Sequence, residues 1–166
     1  MALGRLSNLQ EQVLVALAGI EPPWTLSDGA ALAGFHTAHR ETRDLDPVPL
    51  AEAPRAVTVG GATFLVDTPH QILVNKLCAL LNRSELRDIE DIRALLDTGG
   101  DLPRALGDCP NQDGGFSPMT LSWSLRSLPV ERLAASSGWS AARIDALSRF
   151  RDALLDRILE QARPDR

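Results

Sequence analysis

The first part of the chain opens with a helical pattern of apolar positions. An apolar run over residues 13–20 predicts a buried helix, and the capping-box sequence Ser7-Asn8-Leu9-Gln10 predicts where that helix begins. We expect the helix to end near Gly19, before two prolines. The run is too short to span a bilayer, so no membrane partner is expected.

Short segments of mixed character follow. A strand is expected over 24–26, leading into the turn Ser27-Asp28-Gly29, and a helix is expected over 30–39. The segment 42–50 can be extended, but its two prolines confine it to a sheet edge or a strand end.

The clearest β pattern is a hairpin. Residues 56–59 and 62–66 favour strands, and Gly60-Gly61 lies between them. A two-residue hairpin loop needs a primed turn, and two glycines suit that turn. The sequence therefore predicts two antiparallel strands joined by this loop.

After Asp67 the pattern is helical with connecting loops. Thr68-Pro69-His70-Gln71 combines a capping box with proline at the first helical position and predicts a helix that ends near Leu81. We expect Ser84 to cap a second helix that ends near Gly99. Residues 107–115 are polar and contain glycine, so a surface loop is expected there.

The last third of the chain predicts three more helices. Short helices are expected from Pro118 and Pro129, and a long final helix from Ser140. Apolar residues recur along this final helix at helical spacing, at Ile144, Leu147, Phe150, Leu154 and Ile158. The pattern as a whole predicts an α+β protein, with a small α/β part over 1–67 followed by a helical region over 68–166.

Composition narrows the class of protein. The 166 residues carry a net charge of −5, which excludes a generally basic nucleic-acid coat but leaves a local basic cleft possible. An apolar fraction of 44% with 23% charged residues is typical of a soluble globular protein. The two cysteines are too few for a disulfide scaffold, which favours a reducing compartment, and we expect a cytoplasmic protein.

One basic residue is unlike the others. The chain has 16 arginines and one lysine, Lys76, which lies on the apolar stripe of its predicted helix between Leu73 and Leu80. A cation in that position must reach solvent, pair with an acid or face a cleft. Asp88 and Asp91 on the next helix are its expected partners, either as a structural ion pair or as part of a site.

Two further patterns could carry chemistry. In Asp44-Leu45-Asp46, alternate side chains of an extended segment point the same way, so both carboxylates would share one face and could hold Mg²⁺. The turn Ser27-Asp28-Gly29 lies before a predicted helix, whose first backbone N–H groups could hold a phosphate. Each pattern is common in proteins where it has no such role.

Taken together, these patterns resemble the AbiEii/AbiGii-type nucleotidyltransferase toxin family. The first block of the resemblance consists of the turn with its helix, His39-Arg40 and the Asp44-Leu45-Asp46 segment. The second block is the more distinctive, and it contains Lys76-Leu77-Cys78-Ala79-Leu80-Leu81, Arg83, Arg87-Asp88 and Asp91-Ile92. The resemblance covers roughly residues 24–46 and 54–97.

The resemblance implies a small, incomplete nucleotidyltransferase-like mixed sheet followed by helices. It implies metal-dependent transfer of a nucleotidyl group from an NTP to an acceptor such as tRNA, with a possible cognate antitoxin as partner. By the same resemblance, the residues that would act are Gly29, Lys76 and Arg83 for the nucleotide, Asp44 and Asp46 for Mg²⁺, and Lys76 with Asp88 in catalysis.

The chain also departs from the family pattern. Asp28 stands where the pattern has a first glycine, and only 29 residues separate Asp46 from Lys76, which makes this a truncated member. Glu52 and Asp67 are the two acids in that interval, one in a linker and one at a helix start. An active minimal enzyme and a catalytically degenerate relative that binds a nucleotide or a protein are both compatible with this sequence.

Overall fold

Three strands and seven helices make up the part of the chain that the computed structural model describes, namely residues 7–18, 25–27, 31, 35–36, 53–83, 85–135 and 137–162. In chain order they are α1 (Asn8–Leu17), β1 (Thr25–Leu26), β2 (Arg55–Val59), β3 (Ala62–Val66), α2 (Pro69–Asn82), α3 (Leu86–Asp97), α4 (Leu102–Gln112), α5 (Pro118–Ser127), α6 (Val130–Ala135) and α7 (Ala141–Gln161). The predicted α+β class is confirmed. The predicted boundary between residues 67 and 68 stays a prediction.

The strands form a mixed sheet in the order β1-β3-β2. β1 pairs with β3 in parallel, with Leu26 opposite Val66, and β2 pairs with β3 as an antiparallel hairpin. The hairpin loop is Gly60-Gly61, with φ values of 57° and 82°, as a primed turn requires. The predicted hairpin is confirmed.

Helix α1 packs against the sheet. The Ser7 hydroxyl accepts a hydrogen bond from the Gln10 backbone N–H, and the Gln10 side chain accepts one from the Ser7 N–H. This reciprocal pair confirms the predicted capping box. Leu14 points into the core and is fully buried.

Helix α2 is the element that organises the helical region, because it contacts α3, α4 and α5. Its first turn begins at Pro69, as predicted, and the Thr68 hydroxyl accepts a hydrogen bond from the Gln71 backbone N–H, which is one half of the predicted capping box. Ile72, Leu73 and Leu77 are fully buried.

The prediction of a surface loop over 107–115 is wrong for residues 107–112, which belong to helix α4, while residues 113–115 do form a turn. The Asp101 carboxylate caps the first turn of α4 by accepting a hydrogen bond from the Arg104 backbone N–H. The buried side chains recur at helical spacing and pack toward α2; they are Leu102, Ala105, Leu106 and Cys109. Burial of this stripe outweighs the local effect of Gly107 and of Pro110, which lies in the last turn of the helix.

Two other predictions concern helix starts. Helix α3 begins with Glu85 as its N-cap, and the Glu85 side chain makes no capping hydrogen bond; Ser84, the predicted cap, lies outside the described residues. Helices α5 and α7 begin as predicted, capped by Ser117 and Ser140. The predicted stripe on α7 is also confirmed, because its five residues are buried or packed against the core.

An ion pair between Glu90 and Arg143 joins α3 to α7. The Glu90 carboxylate accepts hydrogen bonds from Nε and Nη2 of Arg143, at 2.9 and 2.7 Å. The Arg143 guanidinium carbon lies 3.7 Å from the centroid of a Trp139 ring. Helix α3 is therefore tied to α7 by a buried carboxylate and to α2 by the residues described next.

Candidate functional site

A buried group of charges joins α2 to α3. Lys76 Nζ lies 2.9 Å from Asp88 Oδ1 and 2.9 Å from Asp91 Oδ2. The side chains of Lys76, Asp88 and Asp91 are exposed to only 3%, 1% and 0%. The predicted pairing of Lys76 with these acids is confirmed; its catalytic and nucleotide-binding role stays a prediction.

Arg83 adds a second cation to this group. Its Nε lies 2.9 Å from Asp88 Oδ2 and its Nη2 lies 3.0 Å from Asp88 Oδ1, a fork that matches the carboxylate. Unlike Lys76, the Arg83 side chain is 43% exposed. We refer to Lys76, Arg83, Asp88 and Asp91 as the charge cluster.

The local sequence explains how the charge cluster forms. Asp88 and Asp91 are three positions apart on α3 and therefore lie on the same side of that helix. Arg83 follows the last residue of α2, where the chain turns toward α3. Arg87, which belongs to the motif that resembles the family, pairs instead with Glu85 at the surface, at 3.0 Å.

A second polar group lies where β1 and β3 end. Ser27 follows β1, and Asp67 follows β3 and donates its backbone N–H to the Leu26 carbonyl. The Ser27 hydroxyl donates to an Asp67 carboxylate oxygen, and Asn75 Nδ2 of α2 donates to the Ser27 oxygen at 3.3 Å. Gln71 donates in turn to Asn75 at 2.8 Å. We call Ser27, Asp67, Gln71 and Asn75 the strand-end network.

Asp67 is the residue whose surroundings the sequence did not reveal. It lies at a helix start, as expected, directly before the N-cap Thr68 of α2. The sequence did not indicate that it is fully buried beside Ser27 at the carboxyl ends of two parallel strands. Ligands bind at this edge of α/β sheets. An acid directly after an apolar strand is the feature that could have indicated it.

His36 contacts the backbone of the strand-end network. Its Nε2 lies 2.8 Å from the Asp67 carbonyl oxygen, which a neutral imidazole with a proton on Nε2 can satisfy as donor. Burial lowers the pKa of His36 below its ordinary value, and the charge of Arg55 lowers it further, while the bond to Asp67 acts in the opposite direction. The folded chain therefore favours the uncharged ring.

Several predicted site residues lie outside the described residues: Gly29, Asp44 and Asp46. Their predicted roles toward nucleotide and Mg²⁺ stay predictions. Within the ranges that the structure describes, no group of three or more His, Cys, Asp or Glu side chains is arranged to hold a metal ion. Nor does any helix in those ranges have the length and apolar character to cross a membrane.

Helix α2 carries members of both polar groups, since Asn75 and Lys76 are consecutive residues. One side chain reaches the ends of the strands and the other reaches α3. A ligand bound at the strand ends would therefore lie against the helix that holds the lysine.

The chain matches the model of a known protein family. A family model described as "Nucleotidyl transferase AbiEii toxin, Type IV TA system" matches residues 47–163, more than two thirds of the chain. The matched range contains Lys76, Arg83 and Asp88, while Gly29, Asp44 and Asp46 precede it. No curated protein and no solved structure matches the chain.

Proposed function

Because the chain belongs to the AbiEii nucleotidyl transferase toxin family, we propose that it transfers a nucleotidyl group from an NTP to an RNA acceptor, with tRNA as the acceptor class. A cognate antitoxin is the protein partner that this proposal includes, in keeping with the type IV toxin–antitoxin description of the family. We propose the cytoplasm as its compartment, because NTPs and tRNA are both available there.

The observation that carries the proposal is the position of Lys76. Transfer of a phosphate-linked group depends mainly on positioning and on charge stabilisation, because negative charge develops on the transferred group and on the leaving group. A cation held by two buried carboxylates is fixed in place before substrate arrives. In this proposal Lys76 neutralises phosphate charge, Asp88 positions both Lys76 and Arg83, and the half-exposed Arg83 contacts the nucleotide.

Mg²⁺ belongs to the same proposal. In this proposal Asp44 and Asp46 would hold it, and Asp67, which follows β3, would supply a third oxygen. Carboxylate and hydroxyl oxygens are the donors that Mg²⁺ prefers, so the chemistry of these residues fits the ion. When bound, Mg²⁺ would supply positive charge to the phosphate oxygens.

A second candidate function is nucleotide binding without transfer. It is favoured by the net charge of the charge cluster, which is zero. Both carboxylates already pair with Lys76, and one of them also pairs with Arg83. A phosphate would have to compete with these buried partners. Asp28 in the turn adds a carboxylate where the triphosphate would approach.

The experiment that tests transfer uses the purified chain, Mg²⁺, total tRNA and each of the four α-³²P-labelled NTPs in turn. We expect one or more NTPs to label RNA. The Asp44→Asn and Lys76→Met variants should lose labelling by a factor of about 100 or more, since removal of one electrostatic group in an active site typically costs about 10²–10³ in rate.

Arg149→Ala is the control, because Arg149 lies on the exposed side of α7 and pairs only at the surface with Asp145. Circular dichroism of each variant separates loss of transfer from loss of fold. Absence of labelling with every NTP, together with NTP binding measured by calorimetry, would contradict transfer and support the second candidate.

A further inference from the structure

Two buried cysteines lie on neighbouring helices of the helical region. Cys78 lies on α2 and Cys109 on α4, and both thiols are free and buried. Cys78 Sγ is 3.7 Å from the Cys109 carbonyl oxygen, and Cys109 Sγ is 3.8 Å from the carbonyl oxygen of Val74, one turn before Cys78 on α2. Each sulfur therefore lies against the backbone of the other helix.

The two thiols are not equivalent. Interaction with the Cys109 thiol lowers the pKa of Cys78, against the opposing effects of burial and of Asp113. Interaction with the Cys78 thiol raises the pKa of Cys109, and burial raises it further. Cys78 is also the more accessible, at 7% exposure against 0% for Cys109. Cys78 is accordingly the better nucleophile of the two.

We propose that Cys78 and Cys109 form a reversible disulfide when the protein meets a low-molecular-weight disulfide as oxidant. In the first step the Cys78 thiolate attacks one sulfur of the oxidant, and the other sulfur leaves as a thiolate. In the second step Cys109 transfers its proton to the thiolate released first and attacks the Cys78 sulfur of the mixed disulfide, so that the second thiolate leaves and takes up from water the proton that Cys78 had lost. Two protein thiols are oxidised by two electrons, and one oxidant molecule is reduced to two thiols.

The bond would have a defined structural consequence. It would join α2 to α4 and close a loop over residues 79–108, which contains Arg83, Asp88 and Asp91. Three of the four members of the charge cluster would then lie in the segment that the disulfide closes, and the fourth, Lys76, lies two residues before Cys78 on α2. This consequence holds whether or not the chain transfers nucleotides.

The test uses the purified full chain and glutathione disulfide. We expect oxidation to lower the mass of the intact chain by about 2 Da, the loss of two hydrogen atoms, without lasting addition of glutathione. Trypsin digestion without reductant should yield one linked pair of peptides, residues 77–83 joined to residues 105–126, because cleavage follows Lys76, Arg83, Arg104 and Arg126. Reduction should separate the pair.

Proximity in the folded state is tested by redox equilibrium with glutathione, measured for the native chain and for the chain in denaturant. The equilibrium is approached from both the reduced and the oxidised chain, so that slow reaction of buried thiols does not affect the result. We expect the disulfide to be favoured about ten-fold or more in the native chain. Cys78→Ala and Cys109→Ala should each end as reduced monomer or as mixed disulfide with glutathione.

Three outcomes would overturn the proposal. The first is a disulfide no more favoured in the native chain than in denaturant, since that would mean that folding does not bring the sulfurs into bonding geometry. The second is a stable mixed disulfide on the unsubstituted chain. The third is a disulfide-linked dimer as the main product.

Discussion

At the scale of single residues, the burial of Lys76 needs a physical explanation. Removal of an ammonium group from water costs several kcal/mol unless close partners compensate for it. Asp88 and Asp91 provide that compensation, each with an oxygen 2.9 Å from Nζ. Arg83 then balances the second carboxylate charge, so that no member of the charge cluster is buried without an opposite charge beside it.

This arrangement predicts strong coupling between Lys76 and Asp91. We expect Lys76→Met to lower the free energy of unfolding by about 3–5 kcal/mol, because it leaves a carboxylate buried without its cation. Asp91→Asn should also destabilise the chain, and the double variant should be more stable than the sum of the two changes by about 0.5–3 kcal/mol. Urea unfolding of the four proteins measures this difference.

The matched control is Arg149→Met, which removes an exposed ion pair with Asp145 and should change the free energy of unfolding by at most about 1 kcal/mol. If the effects of Lys76→Met and Asp91→Asn simply add, the two side chains do not interact in solution as they do in the structure.

His36 predicts how stability depends on pH. Its pKa in the folded chain lies below the ordinary value of 6.5, chiefly because burial disfavours the charged ring. As pH falls below that value, the unfolded chain takes up a proton that the folded chain resists, so the free energy of unfolding falls. The stability that the uncharged His36 contributes is fully present above pH 6.5, the ordinary pKa of histidine. It is lost as the pH falls from 6.5 through the lower pKa that His36 has in the folded chain.

The check compares urea unfolding at about pH 7.5 and about pH 5.5. The loss of stability on acidification should be smaller in His36→Gln than in the unsubstituted chain. An equal loss in both proteins would show that His36 is not the group responsible.

Residue-level reasoning from the sequence found the partners of Lys76 but not the burial of Asp67 beside Ser27. The pairing of Lys76 follows from spacing within two adjacent helices, which a sequence displays directly. The position of Asp67 depends on parallel pairing of β3 with β1, whose residues lie about 40 positions earlier in the chain. Contacts of that kind have no local pattern, so they cannot be predicted from nearby residues.

At the scale of elements, α3 is held from two sides. The charge cluster ties it to α2, and Glu90 ties it to Arg143 of α7. Rotation of α3 about its axis would break both contacts, because Asp91 and Glu90 are neighbours in sequence that point to different helices. The helix that supplies the carboxylates to Lys76 is therefore fixed in rotation.

Arg143→Ala tests this second contact. It leaves the buried Glu90 carboxylate without its guanidinium, and we expect the free energy of unfolding to fall by about 2–3 kcal/mol. Arg149→Ala, an identical change on the exposed side of the same helix, should cost at most about 1 kcal/mol. Thermal and urea unfolding of both variants give the comparison. Equal effects of the two substitutions would show that the Glu90 contact contributes no special stability.

The two glycines of the hairpin loop should differ in how much an alanine substitution destabilises the chain. Both glycines have positive φ, so alanine at either position costs about 1–2 kcal/mol of backbone strain. A Cβ on Gly60 would also lie 3.0 Å from Val15 Cγ2 of α1, whereas one on Gly61 would meet no atom within 4 Å. Gly60→Ala should therefore destabilise the chain more than Gly61→Ala, and Val15→Ala should recover part of the difference. The opposite order in urea unfolding would contradict the contact with α1.

Elements with complete local patterns were predictable, and α4 was not. The capped helices and the Gly60-Gly61 hairpin combine start residues, turn residues and periodicity that all indicate one structure. In α4 the glycine and proline favour a loop, and the opposing influence is burial of one helical face against α2. That influence depends on the position of another helix, which a local pattern does not contain.

At the scale of the whole molecule, one apolar core extends from the sheet to the last helix. It includes Leu14 of α1, Val66 of β3, Leu77 of α2 and Ile158 of α7. The fold class was predictable because strand patterns cluster before residue 67 and helical patterns after it. The candidate site was predictable only in its helical half, where the partners of Lys76 are close in sequence.

The burial of Lys76 has a consequence for the chemistry of the whole surface. Since the chain has no other lysine, its positive side chains in contact with solvent belong to arginine, and the folded protein offers acylating reagents no accessible side-chain amine. Mild acetic anhydride should therefore spare Lys76 in the folded chain and acetylate it in the chain held in denaturant. Lysine-directed cross-linkers and lysine-directed enzymatic tags would likewise react with the Lys76 side chain only after α2 and α3 separate.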